Sequence, residues 1–574
     1  MKSALENCCI GMALLCFLGL ADARVSIEGV EGELRTNVLA HLSLDDEACD
    51  LSDRRLRLLT REAVKETRTA LQALGYYRPS VDTQLTRDDT CWLLTLRISA
   101  GEPARIDAFD VTVAGQAADD AAFVELIGQS PLAQGAAFRH DHYTALKSGL
   151  LEVAARRGYA DARLARHEVM ISTDGSRADV NLQLESGVRY RFGEVVFEQD
   201  ALEDSLVRGY LTFKPGDHYN SRRLTELYSA LAASGFFERI QIEPQHARRA
   251  DGQIPVRVAL TPGKRKIYTA GVGYSTNTGP RFRAGHTNRR RNARGHQWGT
   301  DLLLSDVVSE LTVNFRRPMR NPQTDWLSFD AGYKYESTDT SRSDAVQVGA
   351  RLVVRRSNGW QYTRYVDFLM EDFTLADQAD RSTLLIPGVS WLRSESDNRL
   401  HPQRGSRLKL EVQGSVDKLG SDATFLAAEA GGKWIYPLRA GTRALLRAEA
   451  GYIVNDDIRD LPPSVRFFAG GDASVRGYAF ESIGTSNDNG DVIGGTRKLV
   501  LSGELEQQLT PHWSVAVFAD AGDAFDSSSP DLKVGAGAGL RWLSPVGPVR
   551  LDLARPLDGD DRSLRIHLTF GPDL

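Results

Sequence analysis

Long apolar segments are missing from this 574-residue chain beyond its first 23 residues. Their absence excludes a protein that crosses a membrane with helices, because each such helix needs about 20 consecutive apolar residues. It does not exclude a transmembrane β-barrel, whose strands need only about 9–11 residues of alternating hydrophobicity. Glycine is abundant at 51 residues and hydrophobic residues reach 42%, so apolar sequence for strands is available.

A large excess of one charge is also missing. The 70 Lys and Arg residues nearly balance the 76 Asp and Glu residues, and the formal charge of −6 gives no indication of a nucleic-acid partner. The motifs GxSxG, HExxH and CxxC are absent from the sequence. We therefore expect neither enzymatic activity nor a cofactor, a metal ion or a nucleic acid.

Cysteine is scarce, and three of the five cysteines lie in an N-terminal segment with the features of an export signal: Cys8, Cys9 and Cys16. A lysine precedes the apolar stretch IGMALLCFLGL, and the small residues at 21–23 suit cleavage, so residues 1–23 are predicted to be a signal peptide. A lipoprotein cysteine at Cys16 is the less favoured alternative, because a leucine precedes it.

The other two cysteines, Cys49 and Cys91, would reach an oxidising compartment after export. A disulfide between them is therefore expected, and two buried free thiols are the alternative. Either way we interpret the pair as structural, since no histidine cluster accompanies it.

A repeated pattern occupies the part of the chain before residue 264. Three alternating segments, LLTLRISAGEPARI, DVNLQLESGVRYRF and IPVRVALTPGKRKI, each continue through a glycine into basic residues, and a helix ending in glycine plus an aromatic residue precedes each one. The pattern recurs at roughly 75–85 residues, which indicates an array of one small unit. The predicted units are residues 24–103, 104–187 and 188–263.

Each unit reads as β-α-α-β-β, most clearly in the third. There, RFGEVVFEQ predicts a strand, ALEDSLVRGYL and NSRRLTELYSALAASGFF predict helices, and RIQIEPQ and PVRVALTP predict strands. The first of two VRGY tetrapeptides, Val207–Tyr210, falls in the first helix. We interpret this copy as helix surface and core rather than as a functional motif.

Helical periodicity is absent from residues 264–574, which contain about sixteen alternating segments. In KLVLSGELEQQL the aliphatic residues lie on one face, and Glu504 and Glu506 lie on the other. A soluble β-sandwich can show the same alternation. The number of segments favours a 16-stranded antiparallel transmembrane β-barrel, with lipid outside and a polar lumen.

One connection, residues 455–496, is much longer than the others and contains the second VRGY in RFFAGGDASVRGYAF. Its aromatic residues and glycines predict that it folds back into the lumen. There Arg476 would need an acidic partner, because an unpaired buried charge is costly. Alternation in SVAVFADAGDAF points Asp520 inward, and Glu504 is the reserve partner. The alternative is that Arg476 only contacts water in the pore.

These features resemble the outer-membrane assembly superfamily that includes BamA, TamA and the two-partner-secretion transporters, in which POTRA repeats precede a C-terminal barrel. In that superfamily a (V/I)RG(F/Y) motif lies at the tip of the sixth extracellular loop, and its arginine contacts the aspartate of an inward-facing F-x-D-x-G segment. The matching residues here are Val475, Arg476, Gly477 and Tyr478, and Phe518, Asp520 and Gly522.

Three repeats are most similar to the TamA family, since BamA-like members usually have five and two-partner transporters have two. The resemblance implies a protein of the Gram-negative outer membrane, in contact with its lipid and with POTRA domains in the periplasm. It would assemble autotransporters and other β-barrel clients without ATP, together with an inner-membrane-anchored partner of the TamB type. The alternative is a two-partner-type exporter pore, which uses the same Arg476 and Asp520.

The implied mechanism needs a weak seam between the first barrel strand, residues 267–275, and the last, residues 563–572. Gly271 and Gly273 in one strand and Gly571–Pro572 in the other would weaken their pairing. Ordinary barrel glycines are the alternative interpretation. An open edge could pair with an incoming strand.

Overall fold

The computed structural model describes residues 25–570 except 47–48, 88–90, 339, 399–400, 545–546 and 559–562. The predicted signal peptide and Gly571–Pro572 lie outside the described residues. The chain forms two compact units. The first contains the chain up to Val195 with Phe213–Thr225 and Pro244–Val256, and the second contains Val196–Thr212, Glu226–Glu243 and Arg257–Leu574.

The first repeat has the predicted order β-α-α-β-β. Its elements are β1 (Val25–Glu28), α1 (Gly32–His41), α2 (Asp53–Ala73), β2 (Ser80–Arg87) and β3 (Trp92–Ser99). The sheet order is β1-β3-β2, with β1 parallel and β2 antiparallel to β3. Alternate residues of β3, from Trp92 to Ile98, are buried against α2, whose first turn is capped by Ser52.

The second and third repeats follow the same order. Their sheets are arranged β4-β6-β5 and β7-β9-β8. The elements are β4 (Arg105–Ala114), α3 (Ala121–Gly128), α4 (His140–Arg157), β5 (Arg163–Ile171), β6 (Arg177–Glu185), β7 (Arg191–Glu198), α5 (Asp204–Arg208), α6 (Ser221–Ala233), β8 (Phe237–Pro244) and β9 (Gln253–Pro262).

The glycine that ends the second helix of a repeat also joins that repeat to the next. Ala104 N–H donates to the Gly75 carbonyl at 2.9 Å, and Tyr190 N–H donates to the Gly158 carbonyl at 2.8 Å. Gly75 has φ +93°, and a Cβ there would lie 2.0 Å from the Phe138 carbonyl oxygen. Only glycine fits this joint, which explains why the glycine recurs.

A charged cluster supports the joint between the first two repeats. The Arg139 guanidinium donates to both carboxylate oxygens of Glu33, at 2.8 and 2.7 Å, and also to Asp141. These bonds lower the pKa of Glu33 and lower the pKa of Asp141 to about 2. The ion pairs therefore persist at neutral pH, and the Asp141 contribution to stability, which is full above the usual carboxyl pKa, is lost as the pH falls from there through about 2.

The first VRGY differs from its predicted form. Helix α5 ends at Arg208, and Gly209 is its C-cap, so Tyr210 lies beyond the helix rather than within it. After Arg208 the backbone hydrogen bonds tighten into turns, from Tyr210 N–H to the Val207 carbonyl at 3.1 Å and from Leu211 N–H to the Arg208 carbonyl at 3.0 Å. Tyr210 is nevertheless buried, while Arg208 is exposed and pairs with Asp204 at 2.5 Å.

The rest of the chain forms a single sheet of sixteen antiparallel strands in chain order, as predicted. No helix among the described residues is long and apolar enough to span a membrane. The strands are β10 (Lys266–Ser275), β11 (Gly279–Asn288), β12 (Gln297–Ser305), β13 (Val308–Pro318), β14 (Asp325–Ser337), β15 (Ser341–Arg355), β16 (Trp360–Leu375), β17 (Gln378–Ser396), β18 (Gly405–Ser415), β19 (Phe425–Arg439), β20 (Thr442–Asn455), β21 (Arg497–Gln508), β22 (Trp513–Phe525), β23 (Lys533–Ser544), β24 (Gly547–Pro556) and β25 (Arg565–Phe570).

The two faces of the large sheet have opposite character. On β22, Val515 and Val517 are exposed, whereas Phe518 and Asp520 on the other face are buried. Aliphatic side chains that face outward suit contact with lipid, and charged side chains that face inward suit a polar lumen. Strand alternation therefore decides which residues can meet inside the barrel.

Cys49 and Cys91 form a disulfide that closes a segment of 42 residues in the first repeat. A loop of this length restricts the unfolded chain enough to stabilise the fold by about 4 kcal/mol in the chain-entropy model. We predict that Cys49→Ser with Cys91→Ser lowers the thermal unfolding temperature of the first repeat in the full chain. Non-reducing electrophoresis of the wild type should show a shift on reduction, and identical mobility would contradict the bridge.

A second prediction concerns the joint at Gly75. Gly75→Ala should destabilise the repeats by about 1–3 kcal/mol more than Gly135→Ala does. The reason is that an alanine at position 75 presses its Cβ against the carbonyl oxygen of Phe138. Gly135 is the matched control, since it has φ +86° but no atom within 4 Å of an added Cβ. Thermal unfolding and limited proteolysis of the two variants measure the difference. Equal effects would show that strain at positive φ, not the close approach, limits this position.

Candidate functional site

The long connection between β20 and β21 folds back against the inner face of the barrel. Phe467 pairs with Gly495 and Ala469 pairs with Ile483, so the connection runs in and out as a narrow hairpin. Its turn places Val475, which is fully buried, in a small apolar cluster with Val500 of β21. The connection therefore lies inside the lumen and carries the second VRGY to its wall.

Arg476 makes a fork with Asp520. Its Nε and Nη2 atoms donate to the two carboxylate oxygens of Asp520 at 2.7 and 2.9 Å, and its backbone N–H donates to the same group at 3.1 Å. Nη1 donates to Glu504 at 2.8 Å, so both predicted partners contact the guanidinium. The Phe518 ring lies beneath it, 3.4 Å from the ring centroid to Cζ.

Two further charged residues, which the sequence reasoning did not identify as partners, complete the cluster. Asp552 accepts from Arg476 at 3.2 Å, and Arg541 donates to Glu504 at 2.8 Å and to Asp552 at 2.5 Å. Every side chain in the cluster is at most 10% exposed. Three carboxylates and two guanidinium groups thus join β21, β22, β23 and β24 around the loop.

A third arginine, on the strand paired with β21, also holds the loop. Arg447 of β20 donates to the backbone carbonyls of Ala473 and Ser474, immediately before the VRGY. Because these acceptors are backbone atoms, the contact fixes the path of the loop rather than the identity of its side chains. The loop turn is consequently attached to five consecutive strands.

The glycines and the tyrosine of the two motifs have steric roles. Gly477 has φ +99°, and its N–H donates to Nε2 of His567 at 2.9 Å. A Cβ on Gly522 would lie 2.8 Å from Val475, so glycine on the wall makes room for the loop. Tyr478 is half-buried, and its hydroxyl donates to the Val534 carbonyl at 3.5 Å.

The sheet is not closed by a backbone ladder among the described residues. Within the described part of the chain, β10 forms a ladder only with β11 and β25 forms one only with β24. β10 is also highly exposed, with Val272 at 89%. An added Cβ on Gly271 or Gly273 would meet nothing within 4 Å, so no steric contact requires these glycines.

The buried fork leads to a prediction about stability. Arg476→Ala leaves Asp520 without its cation, which should cost about 3–5 kcal/mol at the loop and lower the thermal transition of the barrel in detergent. Arg208→Ala, in the other VRGY, removes an exposed ion pair and should change stability by less than about 0.5 kcal/mol. Heat-modifiable electrophoresis across a temperature series compares the two variants. Equal midpoints would contradict a special role for the second VRGY.

Family models match most of the chain. The model described as the Omp85 superfamily domain matches residues 268–573. The model described as POTRA domain TamA domain 1 matches residues 24–100, and a POTRA model described as surface antigen variable number repeat matches residues 190–263.

Curated relatives and solved structures agree with these matches. The outer membrane protein assembly factor BamA of Nitratidesulfovibrio vulgaris is 23% identical over 72% of this chain and 55% of its own length. That of Neisseria meningitidis is 21% identical over 84% of this chain and 68% of its own. The crystal structure of Haemophilus ducreyi BamA lacking POTRA domains 1–3 superposes with a TM-score of 0.67 at 17% identity. It covers 82% of this chain and 99% of that one, which shows a shared fold.

The chain thus spans about half the length of the first of these relatives. The predicted fold class is confirmed, as is the predicted localisation in a Gram-negative outer membrane with POTRA domains in the periplasm. With one family model covering the whole barrel, the chain belongs to the Omp85 superfamily.

Proposed function

We propose that this chain is a TamA-like assembly factor that helps autotransporters and other β-barrel proteins insert into the outer membrane. The observation that carries the proposal is the seam between β10 and β25, which lacks a backbone ladder in the described part of the chain beside a loop locked into the lumen. The assembly-factor names of its relatives support the same class of function.

A seam of this kind meets the physical requirement for inserting a strand into lipid. A nascent strand cannot enter lipid with unpaired backbone groups, so it needs a partner strand until its own barrel closes. Because β10 has a ladder on one side only among the described residues, we propose that its other edge accepts an incoming strand by β-augmentation. Exchange of one strand pairing for another needs no ATP, and the same edge becomes available again when the client leaves.

The charge cluster explains how one side of the seam can move while the other stays fixed. Arg476, Asp520, Glu504, Arg541 and Asp552 link β21 through β24, next to the last strand. This part of the wall is cross-linked through buried charges, whose separation is costly. In our proposal it braces the barrel while β10 swings away and pairs with a client.

The periplasmic repeats provide the surface for a partner, which we propose is an inner-membrane-anchored protein of the TamB type. Strand β2 is one of the two edge strands of the first repeat, and its residues 82–87 are exposed on both faces. An exposed edge can add a strand from a partner chain. The match of residues 24–100 to the TamA-type first POTRA model supports TamA over other members of the superfamily.

The test is surface display of autotransporters in a strain that lacks the gene. Wild type and Arg208→Ala should restore display, whereas Arg476→Ala and Asp520→Ala should leave it reduced by roughly tenfold at equal amounts of folded barrel in the membrane. Unchanged display in the deletion strain, with loss of one large secreted protein from the medium, would instead identify a two-partner-type exporter.

A further inference from the structure

We infer that Asp472 of the inward loop is a latch that holds the first and last barrel strands together. It lies four residues before Arg476, in the same turn of the loop. Its side chain is 5% exposed and lies at the seam, where β10 ends and β25 begins. Among the described residues, one carboxylate thus contacts both edges of the sheet.

Both hydroxyl groups at the end of the first strand donate to this carboxylate. Ser275 Oγ donates to Oδ2 at 3.0 Å, and Thr276 Oγ1 donates to Oδ1 at 3.0 Å. The Asn277 side-chain amide, turned so that its oxygen accepts from Asp472 N–H at 3.1 Å, donates to Oδ1 at 3.0 Å. Three consecutive residues of the first hairpin therefore bind one loop residue.

The last strand is held through His567. Its Nδ1 lies 2.5 Å from Asp472 Oδ1, and its Nε2 accepts from Gly477 N–H at 2.9 Å. An Nε2 that accepts carries no proton, so Nδ1 carries the hydrogen and donates to the carboxylate. The ring is thus clamped between Asp472 and Gly477, on either side of Arg476.

Direct contact between the two edges is much smaller. A direct hydrogen bond between the edges runs from Leu568 N–H to Thr276 Oγ1 at 3.2 Å. The hydroxyl that accepts this bond is the same one that donates to Asp472. The outer end of the seam is therefore closed mainly by side chains gathered on the loop, and withdrawal of Asp472 leaves the bond between Leu568 and Thr276 to hold it.

A polar cavity of about 610 Å³ lies beside the latch. Its lining includes Thr276, Asn277, Tyr478, Arg565 and His567. The cavity gives the hydroxyl groups and the imidazole room to turn away from Asp472 when the carboxylate moves. Opening therefore needs a change of side-chain partners and no unfolding of either hairpin.

The experiment measures the width of the seam directly. Spin labels on Val272→Cys of β10 and Ile566→Cys of β25 lie on exposed outward positions, at 89% and 56%, and the native cysteines of the first repeat are already bridged. Pulsed electron–electron resonance in nanodiscs should give one narrow distance for the otherwise wild-type chain. Asp472→Ala should add a longer, broader distance, with the open-to-closed ratio raised roughly tenfold or more, because hydrogen bonds to a charged group are lost.

Asp488→Ala is the matched control, an exposed carboxylate of the same loop, and it should leave the distance unchanged. Thr276→Val is the second variant: it keeps the carboxylate, removes the seam hydroxyl and should widen the seam as well. Unaltered distances in both Asp472→Ala and Thr276→Val would overturn the latch.

The latch depends on the proposed function only for its biological role, and the two proposals can fail separately. A seam that widens in Asp472→Ala, while the deletion strain displays autotransporters normally, would support the latch and remove the assembly role. Unaltered distances in the variants, with display lost in the deletion strain, would remove the latch and leave the assembly role.

Discussion

The fork between Arg476 and Asp520 is the interaction on which the arrangement of the lumen depends. A guanidinium that is buried away from water requires charged partners, and here Asp520, Glu504 and Asp552 surround it. Removal of the loop would take away the guanidinium that contacts all three carboxylates, and it would leave Asp520 without its fork. The loop is therefore an integral part of the barrel and not a cover that lies over it.

The same loop connects a rigid part of the wall to a weak one. Through Arg476 and the carbonyls held by Arg447 it is attached to β20–β24, and through Asp472 it reaches β10 and β25. The backbone ladder is continuous from β10 to β25 but does not close the ring among the described residues. Side-chain contacts break and re-form at lower cost than a ladder, which suits a seam that must open repeatedly.

The alternation of apolar and polar residues predicted much of the arrangement inside the barrel, because a period of two assigns each strand residue to the lipid or to the lumen. It placed Asp520 and Glu504 inside and so identified contacts that the structure contains. It did not identify Asp552 or Arg541 as partners, although their strands alternate too. A period gives the face of a strand but not the height at which two strands align, and this register appears only in the folded sheet.

For the same reason, the sequence pattern did not predict contacts between distant segments. Asp472 and His567 are 95 residues apart and meet only because the loop folds inward. In the repeats, the order of elements followed from periodicity, but the end of α5 at Arg208 did not, because a short helix gives little signal. The interpretation of the first VRGY as a structural segment with no functional motif nevertheless agrees with the structure, in which Arg208 is exposed and Tyr210 is buried.

Amide hydrogen exchange, compared between the wild type and Arg476→Ala, tests the central claim most directly. If the buried fork holds the loop and the loop holds the seam, residues 465–483 exchange slowly in the wild type. In the variant the loop exchanges faster, and so do β10 and β25, while strands far from the loop, such as β15 and β16, stay protected. Slow exchange of the loop in Arg476→Ala, or unchanged exchange of both edge strands, would contradict the account.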